Sequence, residues 1–167
     1  MMRFFITGAV AFGLSVAFLV PASDAQMFSH GNGLVNESAY ALDRSKWDKG
    51  VSLAREALRS GELTPNNVPA ALNNLCIGLT GQGHYDEAME TCDKAISKRP
   101  REWSFYNNRA NIHFYRAQYD RALSDYYKAL TFSPGDDVLI TNISLTLNTR
   151  KRAAERVGAQ GTIERQS

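Results

Sequence analysis

Residues 69–100 read PAALNNLCIGLTGQGHYDEAMETCDKAISKRP, and residues 103–134 read WSFYNNRANIHFYRAQYDRALSDYYKALTFSP. At a shift of 34 the two stretches share Asn73/Asn107, Asn74/Asn108, Tyr85/Tyr119, Asp86/Asp120, Ala88/Ala122, Lys94/Lys128, Ala95/Ala129 and Pro100/Pro134. A fixed period of this length marks stacked units that cannot bury their apolar faces alone. Each copy splits into two helical patterns around a turn, Gly81-Gln82-Gly83 in one and Ala117-Gln118 in the other. Each also closes on a proline, which cannot continue a helix. The units are therefore helical hairpins, and the chain is predicted to be all-α.

Upstream lies a fainter copy, Trp47-Asp48-Lys49-Gly50 with Ala57-Leu58, in a unit spanning about 31–64. Its offset to the next copy is 38, so residues 65–68 read as an insertion. Ala88, Ala95, Ala122 and Ala129 are small because two helix backbones must approach there, while Leu72, Leu75, Leu79, Tyr106 and Tyr126 fill the space between hairpins. Downstream, Asp136 and Asp137 offer a helix start, and Val138, Ile140, Ile143 and Leu147 are expected to cover the open end of the stack. From Gly158 a frayed tail (158–167) is expected.

Tyr119, Ala122, Tyr126, Ala129 and Pro134 resemble the second helix and terminator of a tetratricopeptide repeat, and Tyr85, Ala88, Ala95 and Pro100 repeat that pattern. The resemblance covers 31–157. It implies a right-handed superhelix of antiparallel helix hairpins, with repeats at 31–64, 69–102 and 103–136 and a capping helix at 137–157. It also implies that the first helices form a concave surface on which such proteins hold peptides.

Asn74, Asn108 and Asn142 are spaced 34 and 34 apart, and Asn36 takes the same place in the first unit once the insertion is allowed for. Equal places in successive units line one edge of a superhelix. A primary amide carries an acceptor and two donors, matching a peptide backbone whatever its side chains. The row resembles the asparagine ladder with which the repeat region of O-GlcNAc transferase grips extended peptides. By that resemblance Asn36, Asn74, Asn108 and Asn142 contact peptide backbone, while Asn73, Asn107, Asn111, Ile77, Phe114 and Tyr115 supply selectivity and apolar anchors. The alternative is that these asparagines tie adjacent repeats together. The family's other mode, a cationic clamp for a C-terminal carboxylate, does not carry over, because its places hold Asn73, Ile77, Ser104 and Asn108. Arg109, which stands where Leu75 faces the core, is expected to pack its stem at the hairpin interface.

The head of the chain differs in kind. Arg3 precedes an uncharged apolar run, 4–20, followed by Pro21-Ala22-Ser23-Asp24-Ala25. Ser23 and Ala25 have the spacing a signal peptidase requires, so residues 1–25 read as a cleaved export signal and 26–30 as a lead-in. Seventeen residues reach roughly 25 Å, short of the roughly 30 Å hydrocarbon core, which disfavours a retained anchor. Periplasmic or secreted localisation follows, with no stable membrane insertion after cleavage. The 167 residues carry 19 Lys+Arg against 17 Asp+Glu, a formal charge of +2. No field of that size holds nucleic acid. The basic stretch at Arg150, Lys151, Arg152 and Arg156 reads as an ordinary helix C-terminus.

Cys76 and Cys92 fall on the two helices of one hairpin at inward places. Their heights differ by about three residues, roughly 4–5 Å, which tolerates a disulfide without requiring one. Export favours the bond; two buried thiols are the alternative. His84 belongs to a turn and His113 to an interhelical place. No metal-ligand, nucleophile-elbow or phosphate-cradle spacing occurs, so no metal, cofactor or catalytic residue is expected. The sequence thus reads as a non-enzymatic protein-interaction module of the cell envelope, an adaptor or assembly factor with a protein or peptide partner. Two alternatives stand beside it: a structural subunit or homo-oligomer docking through outer helix faces, and a regulator of a cell-wall enzyme.

Overall fold

The computed structural model describes residues 33–61 and 63–163, with side chains as far as Val157. The expected signal 1–25 and lead-in 26–30 lie outside the described residues. Seven helices follow in order: α1 Gly33–Asp43, α2 Trp47–Arg59, α3 Val68–Gly81, α4 Tyr85–Lys98, α5 Trp103–Tyr115, α6 Tyr119–Phe132 and α7 Asp137–Ile163. Each of the pairs α1/α2, α3/α4 and α5/α6 is an antiparallel hairpin, the hairpins stack in sequence, and the first helices also touch one another along the stack.

The three hairpins turn by the same device. Ser45, Gly83 and Ala117 occupy the left-handed region at φ 54°, 78° and 56°. Just after them, Lys46 N donates to Ala41 O at 2.9 Å, His84 N to Leu79 O at 2.9 Å and Gln118 N to His113 O at 2.8 Å. This closes each first helix with a six-to-one Schellman bond. Only glycine takes such a backbone without a Cβ penalty, so the turns at Ser45 and Ala117 carry strain that Gly83 does not. The insertion is a turn in which Asn67 N donates to Thr64 O at 2.8 Å. It delivers Pro69 into the first turn of α3, where its missing N–H costs no helix bond.

Ala88, Ala95, Ala122 and Ala129 are fully buried, as close helix contact demands. Gly50 holds their place in the first unit, and a Cβ there would collide with Leu42 Cδ2, so the α1/α2 approach is tighter still. Ser38 Oγ donates to Gly50 O at 2.8 Å across it. Cys76 and Cys92 are bridged, Cα to Cα 5.4 Å, pinning α3 to α4 inside the core formed by Val51, Leu75, Leu79, Ala88 and Ile112. Of the two readings open for these cysteines, the structure holds the disulfide.

Two expectations for the last helix are corrected. Asp136 starts it, its Oδ1 accepting from Val138 N at 3.0 Å and Leu139 N at 3.1 Å. The residues that close the stack, however, are Leu139, Ile143 and Thr146, while Ile140 and Leu147 stand 46% and 37% exposed. The stack presses on one strip of α7, and Ile140 and Leu147 fall about 100° round the helix from that strip. In addition, α7 runs to Ile163, past the expected end at 157 and through the start of the expected tail; no proline follows Pro134, and Gly158 and Gly161 each cost a helix only about 1 kcal/mol.

Candidate functional site

The asparagine row is present, and it is turned inward. Asn142 Nδ2 donates to Asn107 Oδ1 at 2.9 Å, Asn108 Nδ2 to Asn73 Oδ1 at 2.7 Å, and Asn74 Nδ2 to the Val35 carbonyl at 2.9 Å. All five of these asparagines are buried, Asn108 only 3% exposed. The reason lies in the neighbouring place: positions 73 and 107 supply an amide acceptor one unit upstream, whereas the equal place in the first unit is Val35, which can offer only its backbone oxygen. Asn111 is buried too, its Oδ1 accepting from Tyr126 Oη at 2.6 Å. Burial raises the Tyr126 phenol well above its ordinary range.

The expectation that Asn74, Asn108 and Asn142 present their amides to a peptide is therefore corrected, together with the selectivity role given to Asn73, Asn107 and Asn111. These groups clasp helix to helix, and a buried donor already paired gains little by exchanging its partner. Asn36, the fourth member, is exposed on α1.

Of the remaining expected residues, Phe114 and Tyr115 belong to a ring cluster at the turn edge, and Ile77 lies on α3. Ile77 and Phe114 are half-buried, and Tyr115 is 40% exposed at the end of α5. Its ring stacks on Tyr85, the first residue of α4, with centroids 6.0 Å apart and planes 10° from parallel. Phe114 meets Tyr115 and Tyr119 edge-on at 6.1 and 5.8 Å. The four rings line the turn-side edge between the second and third hairpins. Burial, with the Tyr85 phenol beside it, pushes the Tyr115 phenol up to about 12.

Two polar arrangements were not foreseen. Arg109 does not merely pack its stem. Its Nε and Nη2 donate to the two oxygens of buried Asp125 at 2.8 and 2.7 Å, and its Nη1 donates to Asp93 Oδ1 at 2.7 Å. The bond to Asp125 raises the guanidinium pKa further against the opposing effect of burial. His113 lies beside this group, Nε2 3.9 Å from Asp125 and Nδ1 2.8 Å from Gln118 Oε1. The sequence held a signal for the pair: one unit earlier the same two places are Leu75 and Thr91, so both depart from the repeat together, with opposite charges.

The second arrangement is a ladder along the turn edge. Gln82 Nε2 donates to Asp48 at 2.6 Å, Arg116 to Asp86 at 2.6 Å and Arg150 to Asp120 at 2.5 Å. The first two rungs join the start of a second helix to the end of the next first helix, and the third joins the start of α6 to Arg150 midway along α7. Among the described residues no group of three His, Cys, Asp or Glu side chains could hold a metal ion.

With this geometry in view, residues 104–133 match the tetratricopeptide repeat family. Human tetratricopeptide repeat protein 6 is 35% identical over 71 residues, 42% of this chain and 14% of that protein. The chain thus spans about one-seventh of that relative. Among solved structures it is similar to the Sgt2 TPR domain from Aspergillus fumigatus, with TM-score 0.62 and 19% identity, covering 79% of this chain and 82% of that one. The first TPR domain of human RPAP3 superposes with TM-score 0.59 and 14% identity, covering 79% of this chain and 98% of that one. At these identities the likeness is one of fold, and the fold is a tetratricopeptide solenoid.

Proposed function

We propose that this protein is an exported, non-enzymatic binding module whose partner is another protein, held through aromatic side chains on the edge formed by Tyr85, Phe114 and Tyr115. The observation that carries this is the open ring of Tyr115. A large aromatic remains 40% exposed on a first helix, at a stack with Tyr85, while Asn74, Asn108 and Asn142 donate to neighbouring helices. Rigid, half-buried aromatics are the usual anchors of protein interfaces. The tetratricopeptide fold supports protein binding as the general function, since its stacked first helices offer a continuous wall to a partner. Export is supported by the charge and apolar pattern of residues 1–25 and by the Cys76–Cys92 bridge, a bond that persists in oxidising compartments. In a cell envelope such a module serves as an adaptor or assembly factor.

A photo-crosslinking residue at position 115, compared with one at position 127, tests the assignment in intact cells. Tyr127 is 49% exposed on α6, a second helix, and serves as the outer-face control. Partner adducts at 115 and none at 127 are expected. Adducts confined to 127 would move the interface to the outer helices and sink the reading.

A further inference from the structure

The three hairpins close at the same two places by three different devices. Ser38 and Ala54 in the first unit, Cys76 and Cys92 in the second, and Ala110 and Tyr126 in the third are equal places, offset by 38 and then 34 residues, and all six are buried. In the first unit Gly50 lets α1 and α2 approach, and Ser38 Oγ donates to Gly50 O at 2.8 Å across the gap. In the third the Tyr126 ring fills the space, its Oη donates to Asn111 Oδ1 at 2.6 Å, and the Arg109–Asp125 pair joins the same two helices. The second unit has neither device. Ala88 stands in the place of Gly50, while Ile77 and Leu75 stand in the places of Asn111 and Arg109. Thr91, in the place of Asp125, donates back to Glu87 O within α4 at 2.7 Å, and Thr80 likewise to Cys76 O within α3 at 2.8 Å. What crosses from α3 to α4 is the Cys76–Cys92 bond.

We propose that Cys76 and Cys92 form a redox lock on the second hairpin. Oxidised, the bond holds α3 to α4. Reduced, two small thiols remain where the third unit has a methyl and a phenol ring, and α3 and α4 part ahead of the other hairpins. The closing step is thiol–disulfide exchange with an external disulfide. One cysteine thiolate attacks a sulfur of that disulfide, the other cysteine thiolate displaces the sulfur so bound, and the external disulfide leaves as two thiols, having taken up the two electrons and the two protons of the cysteines. The bond closes a loop with a sequence separation of 16, which shifts the closing equilibrium by about a hundredfold. Once closed it is shielded, since neither cysteine is more than 1% exposed and a reductant reaches the sulfurs only through an opened hairpin. The effect passes beyond one unit. The core around the bridge takes Val51 and Ala54 from α2 and Ile112 from α5, so parting α3 from α4 divides the stack between the first and third units. It also separates Tyr85, on α4, from its stack with Tyr115, on α5.

The test uses protein purified from cells expressing the full chain. It is unfolded and refolded once with dithiothreitol and once with oxidised glutathione, and amide hydrogen exchange is followed helix by helix by mass spectrometry. In the reduced protein, protection of α3 and α4 is expected to fall by about a hundredfold and that of α6 by less than about tenfold. Cys76→Ala with Cys92→Ala is expected to exchange in α3 and α4 at least as fast as the reduced protein in either buffer, which separates the bond from the buffer. Protection of α3 and α4 that differs by less than about threefold between the two forms, a loss shared equally by α6, or a double variant as protected as the oxidised chain would each overturn the proposal.

Discussion

Asn108 donates its side-chain N–H to Asn73 Oδ1 at 2.7 Å, and one repeat later Asn142 does the same to Asn107 at 2.9 Å. The two bonds make the inner wall of the solenoid a set of interlocked amides. Asn108→Ala removes one donor and leaves a buried acceptor unmatched, which costs about 1–3 kcal/mol. The double change Asn73→Ala/Asn108→Ala costs less than the sum of the single ones, with a coupling of about 0.5–1.5 kcal/mol. Urea unfolding of the four proteins measures it, and zero coupling would return the amides to the ligand.

Arg109 and Asp125 replace the Leu75 and Thr91 of the preceding unit, so the natural reversal is Arg109→Leu with Asp125→Thr. Arg109→Leu alone strips a buried carboxylate of both its bidentate bonds, and a loss of about 2–3 kcal/mol is expected. The double variant restores the apolar packing of the earlier hairpin and stays within about 1 kcal/mol of the native protein. Denaturation midpoints of the single and double variants decide between a pair required for stability and one that a hydrophobic contact can replace.

Ala117 sits at φ 56° in the place where Gly83 sits at 78°. Ala117→Gly relieves the left-handed penalty of a Cβ, about 1 kcal/mol, against a smaller gain in unfolded-chain entropy. A modest rise in melting temperature is the expected result. A fall would show that the turn carries no strain.

The Tyr115 phenol, raised to about 12, titrates later than it would in the unfolded chain. The folded protein therefore holds this proton where the unfolded chain has lost it. Its contribution to stability is complete below pH 10 and is lost as pH rises from about 10 towards 12. Ultraviolet difference titration of Tyr115→Phe against the native chain isolates the step. Tyr85→Phe, which removes the neighbouring phenol, moves it down.

The hairpins were legible because a period of 34 with Ala88/Ala122, Ala95/Ala129 and Pro100/Pro134 in step admits little besides stacked helix pairs. The paired cysteines were legible as to place, though only the 5.4 Å approach of their Cα atoms decides for a bond. The Arg109–Asp125 pair was there to be found as two simultaneous departures from the repeat, but its meaning needs the distance between α5 and α6. Ile140 and Leu147 look like core in a helical pattern. They face outward because the stack supplies one contact strip to α7 and, among the described residues, no second helix returns to cover the other.

Sequence alone determined the class of fold, the length of each unit and the set of equivalent places, since repetition makes equal positions meet equal surroundings. Which way those places face was decided in three dimensions. A period says that Asn74, Asn108 and Asn142 stand alike; only the rotation of each hairpin on the one before it determines whether their amides meet a neighbour or solvent. That rotation is set by the volumes packed between hairpins, here Gly78 against Val51 and Gly81 against Trp47, and it is a property of the assembled stack, absent from any single unit.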